Sequence, residues 1–269
     1  MARTAKPAKL AAGIVNEPMR IVVGGSSCSV LVSPPRKSRN EGTYGELLPR
    51  LLRPHGVVAE TIHEGHWFGM VNEYRPRYET GLRNHFPDVL IINYGFAEME
   101  PNFLPYWLAR HFSTWDLSSA VIPTGYRRLL APRLWKIARF YQRQASRLTS
   151  NHSFRVSPRR FVTDLRRIIQ MARAETGCLV LVLDIDPPGE RLQYWMPGMW
   201  QRWERYQGLL AKLVADFDDP QVRLIHNSHS ILDELGFEVG EPDGIHRSAV
   251  GHARTAEVLT AEILDWLNS

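Results

Sequence analysis

Short apolar runs that alternate with segments of helical periodicity constrain the fold more than any other feature of this chain. The runs cover residues 19–23, 57–62, 88–94, 178–183 and 222–225. Near-continuous apolar strands are typical of a parallel sheet that is covered on both faces. Strands that alternate with helices favour the same arrangement. The sequence therefore predicts an α/β domain with helices on both faces of a parallel sheet.

Helices are predicted between these strands and near the end of the chain. The segments 43–52, 158–175 and 200–216 each lie between two predicted strands. Ser248 is a suitable N-cap for a final helix. The apolar residues that follow it recur at helical spacing, namely Ala256, Leu259, Ile263 and Leu267.

The composition is that of an ordinary soluble protein. The 269 residues are 44% hydrophobic and 23% charged. Cys28 and Cys178 adjoin apolar runs, so we expect small buried thiols and neither a disulfide framework nor a zinc site. No secretory signal and no apolar run of bilayer length is found, which predicts a cytoplasmic protein. We expect residues 1–19 to be a disordered tail and residues 20–269 to form one domain.

The segment Asp243-Gly244-Ile245-His246 predicts a catalytic pair. An Asp three residues before a His, on a turn bent at Gly, brings a carboxylate to one imidazole nitrogen. That contact fixes the tautomer and leaves the other nitrogen free to take a proton from a nucleophile.

A hydroxyl for this pair is offered by Gly24-Gly25-Ser26-Ser27, directly after the first predicted strand. The carboxyl end of a strand is where α/β proteins place reactive groups. The glycines before Ser26 allow a sharp turn and expose the backbone N–H groups that follow, which can bind phosphate or stabilise an oxyanion. A plain strand-to-helix turn is the alternative. A phosphate loop is disfavoured because no Gly-Lys-Ser/Thr follows.

Four blocks together resemble the SGNH (GDSL-like) hydrolase family. They are Gly24-Gly25-Ser26-Ser27, the glycine-bearing loop after the second strand, Gly95-Phe96-Ala97-Glu98 and Asp243-Gly244-Ile245-His246. The resemblance covers Arg20 to Leu267. It implies a flavodoxin-like three-layer α/β/α domain that needs no cofactor. It also implies that Ser26 is the nucleophile, His246 the base and Asp243 the carboxylate that orients the base.

Two positions depart from the family pattern. Gly25 stands where the family has Asp before the serine, and Ala97 stands where an Asn side chain usually donates to the oxyanion. The oxyanion hole is therefore expected to depend on the backbone N–H groups of Ser26, Gly69 and Gly95, with Gly65 as an alternative to Gly69. Asn93, Asn102 or a side chain from the insertion at residues 101–158 is the candidate replacement for the missing donor. The residues expected to line the substrate site are Gly65, Trp67, Ala97, Glu98, Trp107, Trp195 and Trp200.

Residues 101–158 form a predicted insertion after the third strand, rich in tryptophan and basic residues. Residues 127–147 contain seven basic residues and no acidic one, and Leu130, Leu134, Ile137 and Tyr141 recur there at helical spacing. One interpretation is a packed helix with a solvated basic face. The other is a lid or docking surface for an anionic client, such as an acyl carrier protein, a phosphorylated sugar or a membrane surface. No nucleic-acid recognition module accompanies the charge.

A second aromatic segment, residues 187–203, follows the fourth strand and forms a candidate rim of the site. Trp203 is expected to be its buried member. Asp184 and Asp186, at the end of the same strand, have the character of paired carboxylates or of a metal site, but the distance along the chain to His226 and His229 disfavours this interpretation.

Three hypotheses about function follow. The first is a serine-dependent acyl-ester hydrolase that acts on a carbohydrate or lipid-like ester through an acyl-enzyme. The second is an O-acyltransferase of the same fold, and the third is a binding protein that has lost catalysis. A metal-dependent hydrolase is a further, weaker alternative.

Overall fold

A five-stranded parallel sheet forms the centre of the computed structural model, which describes residues 17–33, 42–66, 69–101, 131–148 and 154–269. The strands pair in the order β2-β1-β3-β4-β5. This is the order of flavodoxin-like doubly wound sheets, so the predicted fold class is confirmed. The strands are β1 (Met19–Gly25), β2 (Ala59–His63), β3 (Val89–Asn93), β4 (Leu179–Leu183) and β5 (Val222–Ile225).

Helices cover both faces of this sheet. The short or irregular ones are α1 (Ser27–Val30), α4 (Phe96–Met99), α7 (Glu190–Trp195) and α10 (Phe237–Gly240), with a 3-10 turn at Arg53–His55. The longer ones are α2 (Tyr44–Leu52), α3 (Val71–His85), α5 (Ala131–Leu148), α6 (Pro158–Thr176), α8 (Met199–Ala215), α9 (Ser228–Leu235) and α11 (Ala249–Asn268).

Two hydrophobic cores form because successive strand residues point to opposite faces of the sheet. On β3, Val89 and Ile91 pack with α2 and α11, whereas Leu90 and Ile92 pack with α3, α6 and α8. The residues of β3 and β4 are all buried, which is why both strands are almost continuously apolar.

Helix α3 is an element that the sequence did not predict. It is strongly polar and contains Pro76, so its apolar face is short. That face consists of Val71, Tyr74 and Tyr78, which are buried against the sheet. Glu98 accepts a hydrogen bond from the N–H of Val71 at 2.7 Å and thereby supports the first turn of the helix.

Several predictions fall on residues that lie outside the described part of the chain. They concern the disordered tail before residue 17, the side chains of Trp67, Asn102 and Trp107, and residues 102–130 and 149–153 of the insertion. The domain boundaries stay predictions. Within the described ranges, no helix is both long and apolar enough to cross a bilayer.

Candidate active site

The turn between α10 and α11 holds a carboxylate against an imidazole. Asp243 Oδ2 lies 2.7 Å from His246 Nδ1, and Asp243 Oδ1 accepts the backbone N–H groups of Ile245 at 2.9 Å and His246 at 2.7 Å. Gly244 makes this turn with a φ of 79°, a left-handed conformation that favours glycine. The predicted Asp–His contact is present in the structure.

Asp243 is held as a carboxylate by these contacts. Burial opposes its ionisation, but hydrogen bonds and charge from His246, together with the N–H of Ile245, outweigh burial and keep the pKa of Asp243 below its ordinary value. An ionised Asp243 accepts a hydrogen bond from the N–H at His246 Nδ1. His246 Nε2 is then the nitrogen that can accept a proton.

The hydroxyl that meets this nitrogen belongs to Ser27. Its Oγ lies 3.0 Å from His246 Nε2, although the two residues are 219 positions apart. The side chain of Ser27 is half-buried at the first position of α1. A hydrogen-bonded chain therefore runs from Ser27 through His246 to Asp243.

The prediction that Ser26 occupies this position is wrong by one residue. Ser26 is 1% exposed and has an extended backbone, with φ −85° and ψ −164°. Neighbouring side chains of an extended chain point in opposite directions, so only one of the two serines can face His246. With Ser27 in place, the residue before the reactive hydroxyl is Ser26. Ser26, and not Gly25, therefore stands where the family pattern has Asp.

The three N–H groups predicted for the oxyanion hole are already occupied by hydrogen bonds within the protein. Those of Ser26, Gly69 and Gly95 donate to Asn93 O at 3.1 Å, His66 O at 3.0 Å and Glu98 Oε2 at 2.8 Å, respectively. They are not available to a substrate in this structure, and this part of the prediction is wrong.

The N–H groups of Ser27 and Gly65 have no acceptor among the described residues. The first turn of a helix leaves such donors free, as for Ser27. Gly65 lies against α1: a Cβ atom there would meet Val30 Cγ1 at 2.6 Å and Ser29 Oγ at 2.9 Å. Only glycine fits at this position, which brings the backbone of the β2–α3 loop next to the helix that carries Ser27.

Among the described residues, neither Ala97 nor Asn93 supplies a side-chain donor in place of the missing Asn. Ala97 is buried and has no polar side-chain atom. The amide nitrogen of Asn93 is directed to Tyr44 Oη at 3.5 Å, and Asn102 lies outside the described residues.

Glu98 has a structural role and was wrongly predicted to line the substrate site. It is fully buried and accepts the N–H groups of Val71 and Gly95. Burial raises the pKa of Glu98 to about 7, despite these hydrogen bonds. The carboxyl group links the start of α3 to the turn before α4.

A buried charged cluster, comprising Asp184, Asp186, Ser228, Glu241 and Arg247, lies behind the catalytic loop. The guanidinium of Arg247 donates to Asp186 and, at 3.1 Å, to Ser228 Oγ. Asp184 accepts the N–H of Ser228 at 3.0 Å. The cluster thus joins the loops after β4 and β5 to the loop that carries His246.

Burial and the neighbouring charge of Asp186 raise the pKa of Glu241 well above its ordinary value. Within the described residues, no group of three or more His, Cys, Asp or Glu side chains has the arrangement of a metal site. Asp184 and Asp186 instead hold the loops together.

His252 is also buried and structural. Burial lowers the pKa of His252 to about 3, so the ring is neutral. Its Nδ1 accepts the N–H of Tyr44 at 3.2 Å, and its Nε2 donates to Leu31 O at 3.0 Å. The ring thus connects α11 to the residue after α1 and to the first residue of α2.

The loop after β4 contacts the catalytic loop directly. The N–H of Gly189 donates to Gly244 O at 3.2 Å, and a Cβ atom on Gly189 would come within 2.8 Å of Gly244 Cα. Trp195 is half-buried and Trp200 is 38% exposed. Trp203 is buried and donates to Ile185 O at 2.8 Å, so its predicted burial is confirmed.

No family model and no curated protein matches the sequence. Solved structures do match. They include a lipase/acylhydrolase from Enterococcus faecalis (TM-score 0.60, 14% identity, 91% of this chain and 95% of the other). A second match is TesA, with a TM-score of 0.54 and 15% identity over 90% of this chain and 96% of the other. A third is Axe2, an acetylxylan esterase from Geobacillus stearothermophilus, with a TM-score of 0.56 and 14% identity over 91% of this chain and 94% of the other.

These solved structures are hydrolases of the SGNH type. At such low identity the similarity establishes the fold, and this chain shares the α/β/α fold of that class over about nine-tenths of its length. The resemblance noted from the sequence motifs is therefore supported at the level of the fold.

Proposed function

We propose that this protein is a serine-dependent ester hydrolase in which Ser27 is the nucleophile, His246 the general base and Asp243 the residue that orients the base. The observation that carries the proposal is the chain of hydrogen bonds at 3.0 Å and 2.7 Å that links these three side chains. Structures of the same fold are named as a lipase/acylhydrolase and an acetylxylan esterase, which supports ester chemistry.

The first half of the reaction forms an acyl-enzyme. Ser27 Oγ attacks the ester carbonyl carbon while its proton passes to His246 Nε2. The tetrahedral intermediate collapses when the bond to the alcohol oxygen breaks, and the imidazolium returns the proton to the leaving alcohol. Asp243 stabilises the positive charge on the ring and stays ionised.

The second half releases the acid. His246 Nε2 takes a proton from water as the water oxygen attacks the acyl carbonyl. The second intermediate collapses when the bond to Ser27 Oγ breaks, and the imidazolium returns the proton to that oxygen. If an alcohol takes the place of water, the same steps transfer the acyl group. Product analysis distinguishes these outcomes: free acid alone, with sugar alcohols present, supports the hydrolase.

The oxyanion is assigned to the N–H groups of Ser27 and Gly65. Both point from segments that contact each other, and neither has an acceptor among the described residues. A hole with two donors lacks the third contribution that an Asn at position 97 would add. Loss of one donor in a hydrolase costs about 3 kcal/mol of transition-state stabilisation. We therefore expect a slow catalyst on activated esters.

Small acyl esters of carbohydrates or lipids are the proposed substrates. Trp195 and Trp200, beside the loop that contacts Gly244, provide flat apolar area that is partly exposed. Such surfaces bind sugar rings or short acyl chains.

Labelling with a fluorophosphonate tests the nucleophile. The wild-type protein and Ser26→Ala should be labelled, with the adduct on Ser27 by peptide mass spectrometry, and Ser27→Ala should not be labelled. The two variants differ by one position in the same turn, so each controls for the folding of the other. Labelling of Ser27→Ala that disappears in Ser26→Ala would assign the chemistry to Ser26, and no labelling of the folded wild type would favour the binding-protein hypothesis.

A further inference from the structure

Helix α5 presents an apolar stripe to solvent beside a row of basic side chains. The stripe consists of Leu134, Ile137, Tyr141 and Leu148, which are 40%, 54%, 67% and 84% exposed. Their spacing of three, four and seven residues places them on one side of the helix. Four large apolar residues on one exposed helix face indicate an interaction surface.

The basic residues lie along one edge of this stripe. Arg133, Lys136 and Arg147 are exposed, and Phe140, which is 53% exposed, lies among them on the helix surface. No acidic residue occurs between positions 127 and 147. A helix with a basic polar face beside a large apolar face has the character of an interfacial helix, which lies in the plane of a membrane surface.

Arg143, seven residues after Lys136 and therefore on nearly the same side of α5, contacts the body of the protein. Arg143 lies two residues after Tyr141, about 200° further round the helix. Its guanidinium stacks on the ring of Tyr194 in α7, 3.8 Å from the ring centre. The helix is thus anchored on one side while its apolar stripe is exposed on the other.

This anchoring connects α5 to the segment after β4. Tyr194 belongs to α7, which begins directly after Gly189. Gly189 in turn contacts Gly244 between Asp243 and His246. A continuous path of contacts therefore joins α5 to the loop that carries Asp243 and His246.

We propose that α5 docks the protein on an anionic lipid surface, with the stripe inserted among the headgroups and the basic residues on the phosphates. Charge complementarity requires an anionic partner. The extent of the exposed stripe favours lipid over an acidic carrier protein, whose contacts would be mainly ion pairs. This inference goes beyond the proposed ester hydrolysis and does not depend on it.

Vesicle flotation with the Ser27→Ala protein tests docking in the absence of turnover. The probes are vesicles of phosphatidylcholine alone and vesicles with phosphatidylglycerol in about a 2:1 ratio. We expect binding to the anionic vesicles that is at least tenfold stronger than to the neutral ones and that weakens as salt is raised.

Two pairs of variants test whether vesicle binding depends on α5 itself or on the charge and hydrophobicity of the surface in general. Lys136→Glu/Arg147→Glu should lower binding by about 25-fold or more, whereas Arg50→Glu/Arg53→Glu, at exposed positions before β2, should change it less than threefold. Ile137→Ser/Leu148→Ser should lower binding by about tenfold or more, whereas Val58→Ser, at a position 70% exposed, should not.

Equal loss with both charge pairs, or no binding to anionic vesicles, would overturn the proposal. Binding to an acidic carrier protein without binding to vesicles would also overturn it and would assign α5 to that partner. None of these results bears on the labelling of Ser27, so docking and catalysis can fail separately.

Discussion

Arg247, the residue directly after the catalytic histidine, has its guanidinium buried against the carboxylate of Asp186 at the end of β4. The ion pair connects the loop that carries His246 to the centre of the sheet, and the backbone O of Arg247 also accepts the N–H of Ser33 at 2.8 Å. The buried ion pair between Arg247 and Asp186 thus helps to fix the position of the imidazole.

Removal of this guanidinium should destabilise the whole domain. Arg247→Met leaves Asp186 buried without its partner, which costs about 3–5 kcal/mol of unfolding free energy. Urea denaturation measures the loss. Arg254→Met is the matched control, because Arg254 pairs with Glu234 and Glu257 at the surface. A similar loss in both variants would contradict the role assigned to burial.

Asp243→Asn should lower kcat by about 10⁴-fold while the fold is retained. An Asn oxygen can still accept the N–H groups of Ile245 and His246, but the amide nitrogen presents hydrogens to His246 Nδ1. The proton of the ring then moves to Nε2, which can no longer accept the proton of Ser27.

The variant's kinetics on p-nitrophenyl acetate, with circular dichroism as the check on folding, measure this effect. Ser27→Ala should lose about 10⁶-fold in kcat, and Ser26→Ala should stay within about tenfold of the wild type. A large loss in Ser26→Ala with activity kept in Ser27→Ala would refute the assignment.

Ala97→Asn should raise kcat, because it supplies the side-chain donor that the family pattern has and this chain lacks. One donor to an oxyanion contributes about 10²–10³-fold in kcat. Ala97→Asp is the matched control, since Asp has nearly the same shape as Asn but an ionised carboxylate has no hydrogen to donate. An equal rate in all three proteins would show that position 97 does not face the reacting carbonyl.

Glu98 should make the folded state less stable as pH rises through neutrality. Its pKa is raised by burial from an ordinary value of 4.5 to about 7. A raised pKa gives stability that is fully present below pH 4.5 and lost as the pH passes about 7, a change on the order of 3 kcal/mol.

Urea denaturation between pH 4 and pH 8 for the wild type and Glu98→Gln measures this contribution. Gln does not titrate, so the difference between the two curves isolates Glu98. Gln also cannot accept from both Val71 and Gly95, and it should therefore be less stable than the wild type at low pH. Parallel curves for the two proteins would rule out the raised pKa.

The fold and the Asp–His pair are the parts that sequence patterns could predict. Buried parallel strands such as β3 and β4 must be apolar on both faces, so they stand out without any knowledge of distant contacts. Asp243 and His246 meet within one short turn, and the local spacing alone indicates their hydrogen bond.

The serine that meets His246 was predicted one position too early because Ser26 and Ser27 are chemically identical. Which of the two faces His246 depends on where β1 ends and α1 begins, and such boundaries are the least certain part of a pattern-based prediction. The oxyanion donors were missed for a related reason. Whether the N–H of Gly69, Gly95 or Gly65 is free depends on acceptors that only the folded chain brings near.

No sequence pattern linked Asp186 to Ser228 and Arg247 in the charged cluster behind the site. Asp186, Ser228 and Arg247 are separated by 42 and 19 positions, and each is unremarkable in its own neighbourhood. Only the parallel order of β4 and β5 brings their loops to the same edge of the sheet.

The contact between Gly189 and Gly244 has a consequence for how new specificity can arise in this protein. The two loops are in direct backbone contact there. No side chain lies between them that could change its rotamer when one loop shifts. A substitution that widens the tryptophan-bearing segment for a bulkier ester therefore also displaces the turn that holds the imidazole. Substrate range and turnover are mechanically linked, and a change in one must be compensated in the other.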